Sequence, residues 1–187
     1  MIGKNHGFSR TADSIKFVNS KKVAPLTLKE SKINKTFTFS SELVPDLDTI
    51  KNVFDELNGK SRSLGAPQKD SCVDYFQQYF SDLLGIQNVL IQEVGFVTDR
   101  QQNMYSGRNI IGRISNLKST EKESKIVVVG AHYDTYGNSS SVDDNNSGVI
   151  GVLELCRIWS FKIRILSDIA VYCVLFDFKE EGLLGSQ

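Results

Sequence analysis

With 187 residues, 40% of them apolar and 24% charged, the chain is large enough to bury a core and is not composed like a disordered tail. Its formal net charge of zero argues against a protein held on nucleic acid chiefly by phosphate contacts. It has no run of about 18 apolar residues, so no transmembrane helix is expected.

The neutral total hides an asymmetry. Residues 1–40 carry seven lysines and one arginine against Asp13 and Glu30, a net +6, and read as a basic, partly disordered arm. Its first residues, "MIGKNHGFSR", lack the apolar segment of a secretory leader. The compartment stays open, and an extracellular or secretory setting is compatible with an N-terminus that begins after a leader. Asn34 and Asn138 fit glycosylation triplets, a pattern that arises often by chance. Cys72, Cys156 and Cys173 have no metal-ligand spacing, and the last two sit in apolar runs as small core residues.

Residues 41–100 form a helical leader and a first strand. "DLDTIKNVFDELNG" places Leu47, Ile50, Phe54 and Leu57 on one helical face, with Gly59 as a stop. "SRSLGAP" reads as a linker. Pro67 opens a second helix whose stripe is Phe76, Phe80, Leu83 and Leu84, closed by Gly85. "NVLIQEVGFV" and then "RNIIGRIS" read as strands. "KIVVVGA" (125–131) is an uninterrupted β-branched run, the pattern of a strand buried on both faces. "GVIGVLELCRIW" (148–159) is a helix and "DIAVYCVLF" (168–176) another buried strand. A strand, helix and strand in this order make a crossover unit. The fold class is therefore α/β, with a mixed, mostly parallel sheet and helices on both faces.

In such sheets, sites form beyond the carboxyl ends of the strands. Three polar clusters fall there: His132 and Asp134 in "AHYDT", Asp143 and Asp144 in "SVDDNNSG", and Glu180 and Glu181 in "FKEEGLLGS". Each alone is an ordinary strand end, helix cap or solvated turn. Together, a histidine with several carboxylates is a donor set suited to zinc, and a shared carboxylate suits a two-metal site.

"IVVVGAHYDT", "DDNNSG" and "EEGLLGS", in this order, resemble the zinc exopeptidases of metallopeptidase family twenty-eight, the aminopeptidase-type co-catalytic dizinc enzymes. "RNIIGRI" is similar to the strand that precedes their first zinc ligand. The resemblance covers about residues 107–187. It implies an N-terminal portion (101–187) of a zinc peptidase fold, in which metal-activated water hydrolyses a terminal bond of a peptide substrate. It also implies two zinc ions per complete domain, with His132 as a zinc ligand and Asp134 orienting it from behind. Asp143 would bridge the two ions, with a cis peptide to its partner Asp144.

The sequence departs from the family at the third motif, where the pattern is two glutamates, a variable residue, and then Gly-Leu-x-Gly-Ser. Aligning "GLLGSQ" without a gap puts Lys179 at the proton-shuttle position and Glu180 at the zinc position. A one-residue deletion in the turn would instead make Glu180 the shuttle and Glu181 the ligand. The gapless register keeps strand and turn in step and is preferred. It places an ammonium beside the metals, which repels them and cannot serve as a base at an ordinary lysine pKa. The family also uses a further Asp and His downstream. The resemblance thus implies a truncated domain with its C-terminal half missing, inactive as it stands, with weak or partial zinc binding. The alternatives are a non-catalytic relative that binds a peptide or partner protein and, less favoured, a glutaminyl-cyclase-like acyltransferase.

Overall fold

A computed structural model describes residues 44–115, 125–137, 139, 141–162 and 169–187. The basic arm with His6 and Asn34 lies outside the described residues, as does Asn138.

Helix α1 (Leu47–Leu57) starts where the Asp46 carboxylate accepts from the Asp48 amide at 3.1 Å and the Thr49 hydroxyl at 2.7 Å. This side chain satisfies donors that the first helical turn leaves unpaired. The helix buries Val53 and Leu57, while Leu47, expected on its apolar stripe, is 75% exposed. Asn58 and Gly59, at φ +74°, end it. Helix α2 (Gln68–Leu84) follows Pro67, closes at Gly85 with φ +84°, and buries Cys72, Val73, Phe76 and Phe80.

Strands β1 (Val89–Thr98) and β2 (Met104–Ser115) form an antiparallel hairpin, because residues 99–103 are too few for a crossover. Strand β3 (Lys125–His132) runs through helix α3 (Ser147–Lys162) to β4 (Ile169–Phe176), which lies parallel to β3 and antiparallel to β2. The strand order is β1-β2-β4-β3. The sheet is mixed, and among the described strands parallel pairing is confined to β3 and β4.

The core lies between the sheet and the helices. Ile110, Ile114, Val171, Cys173 and Leu175 meet Val53 and Leu57 of α1, Phe76 and Phe80 of α2, and Val149, Leu153 and Cys156 of α3 in one cluster. The three described α-helices all contribute to this one cluster. Gly112 allows the close approach of α2: a Cβ there would sit 2.9 Å from the side chains of Phe80 and Leu84. Burying Phe76 and Phe80 completely contributes about 1.5–3 kcal/mol each.

Strand β3 corrects one expectation. Its run is not buried on both faces, since Ile126 and Val128 are 60% and 58% exposed and Val127 is 39% exposed. β3 ends the described sheet, so one of its edges has no strand beside it, whereas β4 lies between β2 and β3 and is largely buried.

Candidate active site

Parallel pairing sets His132 beside Phe176, so β3 and β4 finish at the same level. The Tyr133 amide donates to the Phe176 carbonyl at 2.9 Å and holds the two exits together. All three polar clusters converge at this end of the sheet.

His132 stands between two aspartates. Its Nε2 lies 2.9 Å from Asp144 Oδ1, and its Nδ1 lies 3.1 Å from the Asp134 carbonyl and 3.3 Å from Asp134 Oδ1. Burial opposes the charged imidazole, but the hydrogen bond and charge of Asp134 outweigh it and raise the His132 pKa. Asp134 is only 1% exposed. Burial pushes its carboxyl upward, yet His132 and the amides of Glu180 and Lys179 bring it below its ordinary value. Its Oδ2 accepts from the Glu180 amide at 2.9 Å, whereas Oδ1, facing His132, makes no hydrogen bond of good geometry.

The Asp pair sits in a π-type turn, Val142–Asn146, that leads into α3. Here the structure corrects the register. The cis peptide joins Asp144 to Asn145, one residue later than expected, and Asp144, not Asp143, meets His132. The carboxylate of Asp143 does not enter the group of clustered donors. Asn145 Oδ1 accepts from the Gly148 amide at 3.0 Å and caps α3, and Asn146 is fully buried.

Glu180 and Glu181 separate sharply. One donor atom each from His132, Asp144 and Glu180 lie within 4.8 Å of one another. Glu181 is outside that group. Burial, with Asp134 nearby, raises its carboxyl pKa, and its Oε2 is buried without a hydrogen-bond partner. Lys179 enters the group from the side: its Nζ is 2.7 Å from Glu180 Oε1 and 3.2 and 3.3 Å from the two oxygens of Asp144. Lys179 is accordingly raised, first by its bond to Glu180, and Asp144 lowered, first by its bond to Lys179. A cleft of about 270 Å³, lined by residues including His132, Asn145, Lys179 and Leu183, opens beside this cluster.

Two anchoring residues escaped the sequence reading. Arg62, in the stretch read as a linker, has no exposed surface. Its Nε donates to the Tyr133 carbonyl at 2.6 Å, a guanidinium N–H donates to Asn146 Oδ1, and its amide donates to Thr135 Oγ1 at 2.9 Å. It therefore fixes both the His132–Asp134 loop and the turn before α3. Asp177, 1% exposed, accepts from the Tyr133 hydroxyl at 2.8 Å and the Arg108 amide at 3.1 Å, and pairs with Lys69 at 2.6 Å. Asn109 completes this floor by accepting from the Asp177 amide at 2.9 Å and donating to the Gly185 carbonyl at 2.7 Å. The stretch "RNIIGRI" thereby clamps the turn that carries Lys179 and Glu180.

Known proteins align with these elements. Residues 109–187 match the pattern that defines peptidase family M28. Aminopeptidase YwaD of Bacillus subtilis is 38% identical over 81 residues, which are 43% of this chain and 17% of that protein. Among solved structures, a putative zinc-dependent exopeptidase from Bacteroides vulgatus superposes with a TM-score of 0.56 at 20% identity, over 78% of this chain and 53% of that one. A glutaminyl cyclase from Fimbriiglobus ruber gives a TM-score of 0.55 at 22% identity, over 74% and 47%. At these identities the structural likeness establishes the fold, which is shared by hydrolases and cyclases. The chain spans less than a fifth of that curated relative and about half of the solved structures. The likeness to peptidase family M28 thus lies in residues 109–187, the stretch that carries all three polar clusters.

Proposed function

We propose that this chain contributes part of the active site of a zinc-dependent exopeptidase, with His132, Asp144 and Glu180 as zinc ligands. The observation that carries the reading is the convergence of those three donors, from three separate segments, within 4.8 Å at the carboxyl ends of two parallel strands. Two ligands of one zinc ion, each about 2.1 Å from it, lie at most about 4.2 Å apart, so a small closure fits the group to a metal. Zinc bound there supplies the Lewis acidity that activates water toward a peptide carbonyl.

The chain's own residues have distinct parts. Asp134, held by the Glu180 amide, orients the His132 ring from behind and fixes which nitrogen faces the cluster. Asp144, which meets His132 through Oδ1 and Lys179 through Oδ2, would be the shared ligand. Glu180 joining the cluster with Lys179 beside it supports the gapless register. No carboxylate then occupies the shuttle position, and a lysine held charged by two carboxylates does not accept a proton. Hydrolysis by this chain is expected to be feeble.

Lys179 also favours a second reading, a non-catalytic relative whose cleft binds a peptide or partner protein. Equilibrium dialysis of the chain against zinc tests the first. Retained zinc that is lost in His132→Ala and Asp144→Asn supports it, and retention unchanged in both variants would sink it. Turnover of an aminoacyl anilide by the zinc-loaded chain would contradict the assignment of Lys179 to the shuttle position.

A further inference from the structure

We propose that Lys179 is the resident cation of this site. Its ammonium sits where a metal would neutralise Asp144 and Glu180, so a metal ion binds only by displacing it. This rests on the ligand assignment above and deepens it: the site is a switch between an internal and an external cation.

The placement of Lys179 is built in. Its carbonyl accepts from both the Gly182 and Leu183 amides at 3.1 Å, which fixes its backbone. The residue before it, Phe178, is fully buried, takes a left-handed φ of +54°, and packs against the Lys69 ammonium at 4.7 Å from its ring centre. The lysine therefore extends from an anchored turn. Its partner Glu180 is largely buried, with 16% side-chain exposure, unlike the carboxylate of a typical surface pair. Behind the cluster, Asp134 aims a buried oxygen at His132 with no other partner, a second sign that the group is built around positive charge.

Charge decides the competition. Asp144 and Glu180 carry two negative charges, and Lys179 cancels one of them. A dication entering with Lys179 in place meets an ammonium within a few ångströms, and repulsion at that range is large in a partly buried site. Removing the ammonium has opposite effects on the two states. The metal-free chain loses the counter-charge of two carboxylates, and the metal-bound chain loses a competitor.

The test compares the wild-type chain with Lys179→Met and Lys179→Arg. Zinc affinity is read by isothermal titration, coordination by the visible spectrum of the cobalt(II) form, and stability by thermal unfolding with and without zinc. Lys179→Met is expected to bind zinc at least about tenfold more tightly, to melt lower than wild type without metal, and to gain more from added zinc. Lys179→Arg keeps the charge and is expected to stay near wild type. If Lys179→Met folds poorly, Lys179→Gln serves the same comparison. Equal zinc affinity in wild type and Lys179→Met would overturn the competition and leave the proposed function standing. Zinc bound by neither chain would overturn both.

Discussion

The Nε of Arg62 donates to the carbonyl of Tyr133 at 2.6 Å, deep in the protein and 71 residues apart in sequence. Through this contact the segment between the first two helices reaches the loop that carries His132 and Asp134. Arg62→Met would take that donor from the buried Tyr133 carbonyl and Asn146 Oδ1, and from the part-buried Lys60 carbonyl. The expected loss is about 2–4 kcal/mol in urea unfolding. A loss near zero would show that this network is not what seats the loop.

Below the site, Lys69 and Asp177 form a nearly buried pair, with side chains 12% and 1% exposed. Lys69→Met leaves a buried carboxylate without its counter-charge and is expected to cost about 3–5 kcal/mol. The Tyr133 hydroxyl and the Arg108 amide still bond to Asp177 in that variant. In the double variant Lys69→Met with Asp177→Asn much of this loss should be recovered. A double-mutant cycle with no coupling would refute the pairing.

Much of this architecture can be read in the sequence, and the exceptions share a cause. Periodicity and punctuation locate the three described α-helices and four strands to within a few residues, because Gly59, Pro67 and Gly85 act locally and the apolar runs leave few alternatives. The edge that carries the site also follows, since adjacent parallel strands point their carboxyl ends the same way. Arg62 is different. Nothing in "SRSLGAP" distinguishes a solvated arginine from one whose donors are all taken by distant carbonyls. Asp143 and Asp144 pose a similar problem. Adjacent aspartates in a five-residue turn are equivalent as letters, and only the backbone path, with Asp144 at φ −118° and ψ 84°, decides which carboxylate faces His132. For β3, the apolar run gives the strand correctly, but composition alone cannot say which neighbours cover it.

Asp46 makes the start of α1 sensitive to acid. Its hydrogen bond from the Thr49 hydroxyl, the largest cause, lowers its pKa in the folded chain. A lowered carboxyl pKa contributes stability that is complete above the unfolded pKa and is lost as pH falls through the folded one. Asp46→Ala should therefore melt below wild type at neutral pH, with the gap closing under strongly acidic conditions. A gap that stayed constant across that range would contradict a charged cap.

The exposed run on β3 predicts self-association. Ile126, Val127 and Val128 present apolar side chains along a strand at the end of the described sheet. Val128→Lys should reduce light scattering of concentrated samples while changing stability by no more than about 0.5 kcal/mol. Unchanged scattering would point to another surface.

The turn that carries Lys179 has a genetic consequence as well. Lysine and glutamate codons differ only in their first base, so a single transition exchanges an ammonium for a carboxylate at that point of the backbone. The bonds from Gly182 and Leu183 engage the carbonyl of residue 179, not its side chain, and would survive the exchange. On the ligand assignment proposed above, a lineage carrying this turn is therefore one mutational step from a site with a carboxylate in place of its internal cation, and the same step leads back.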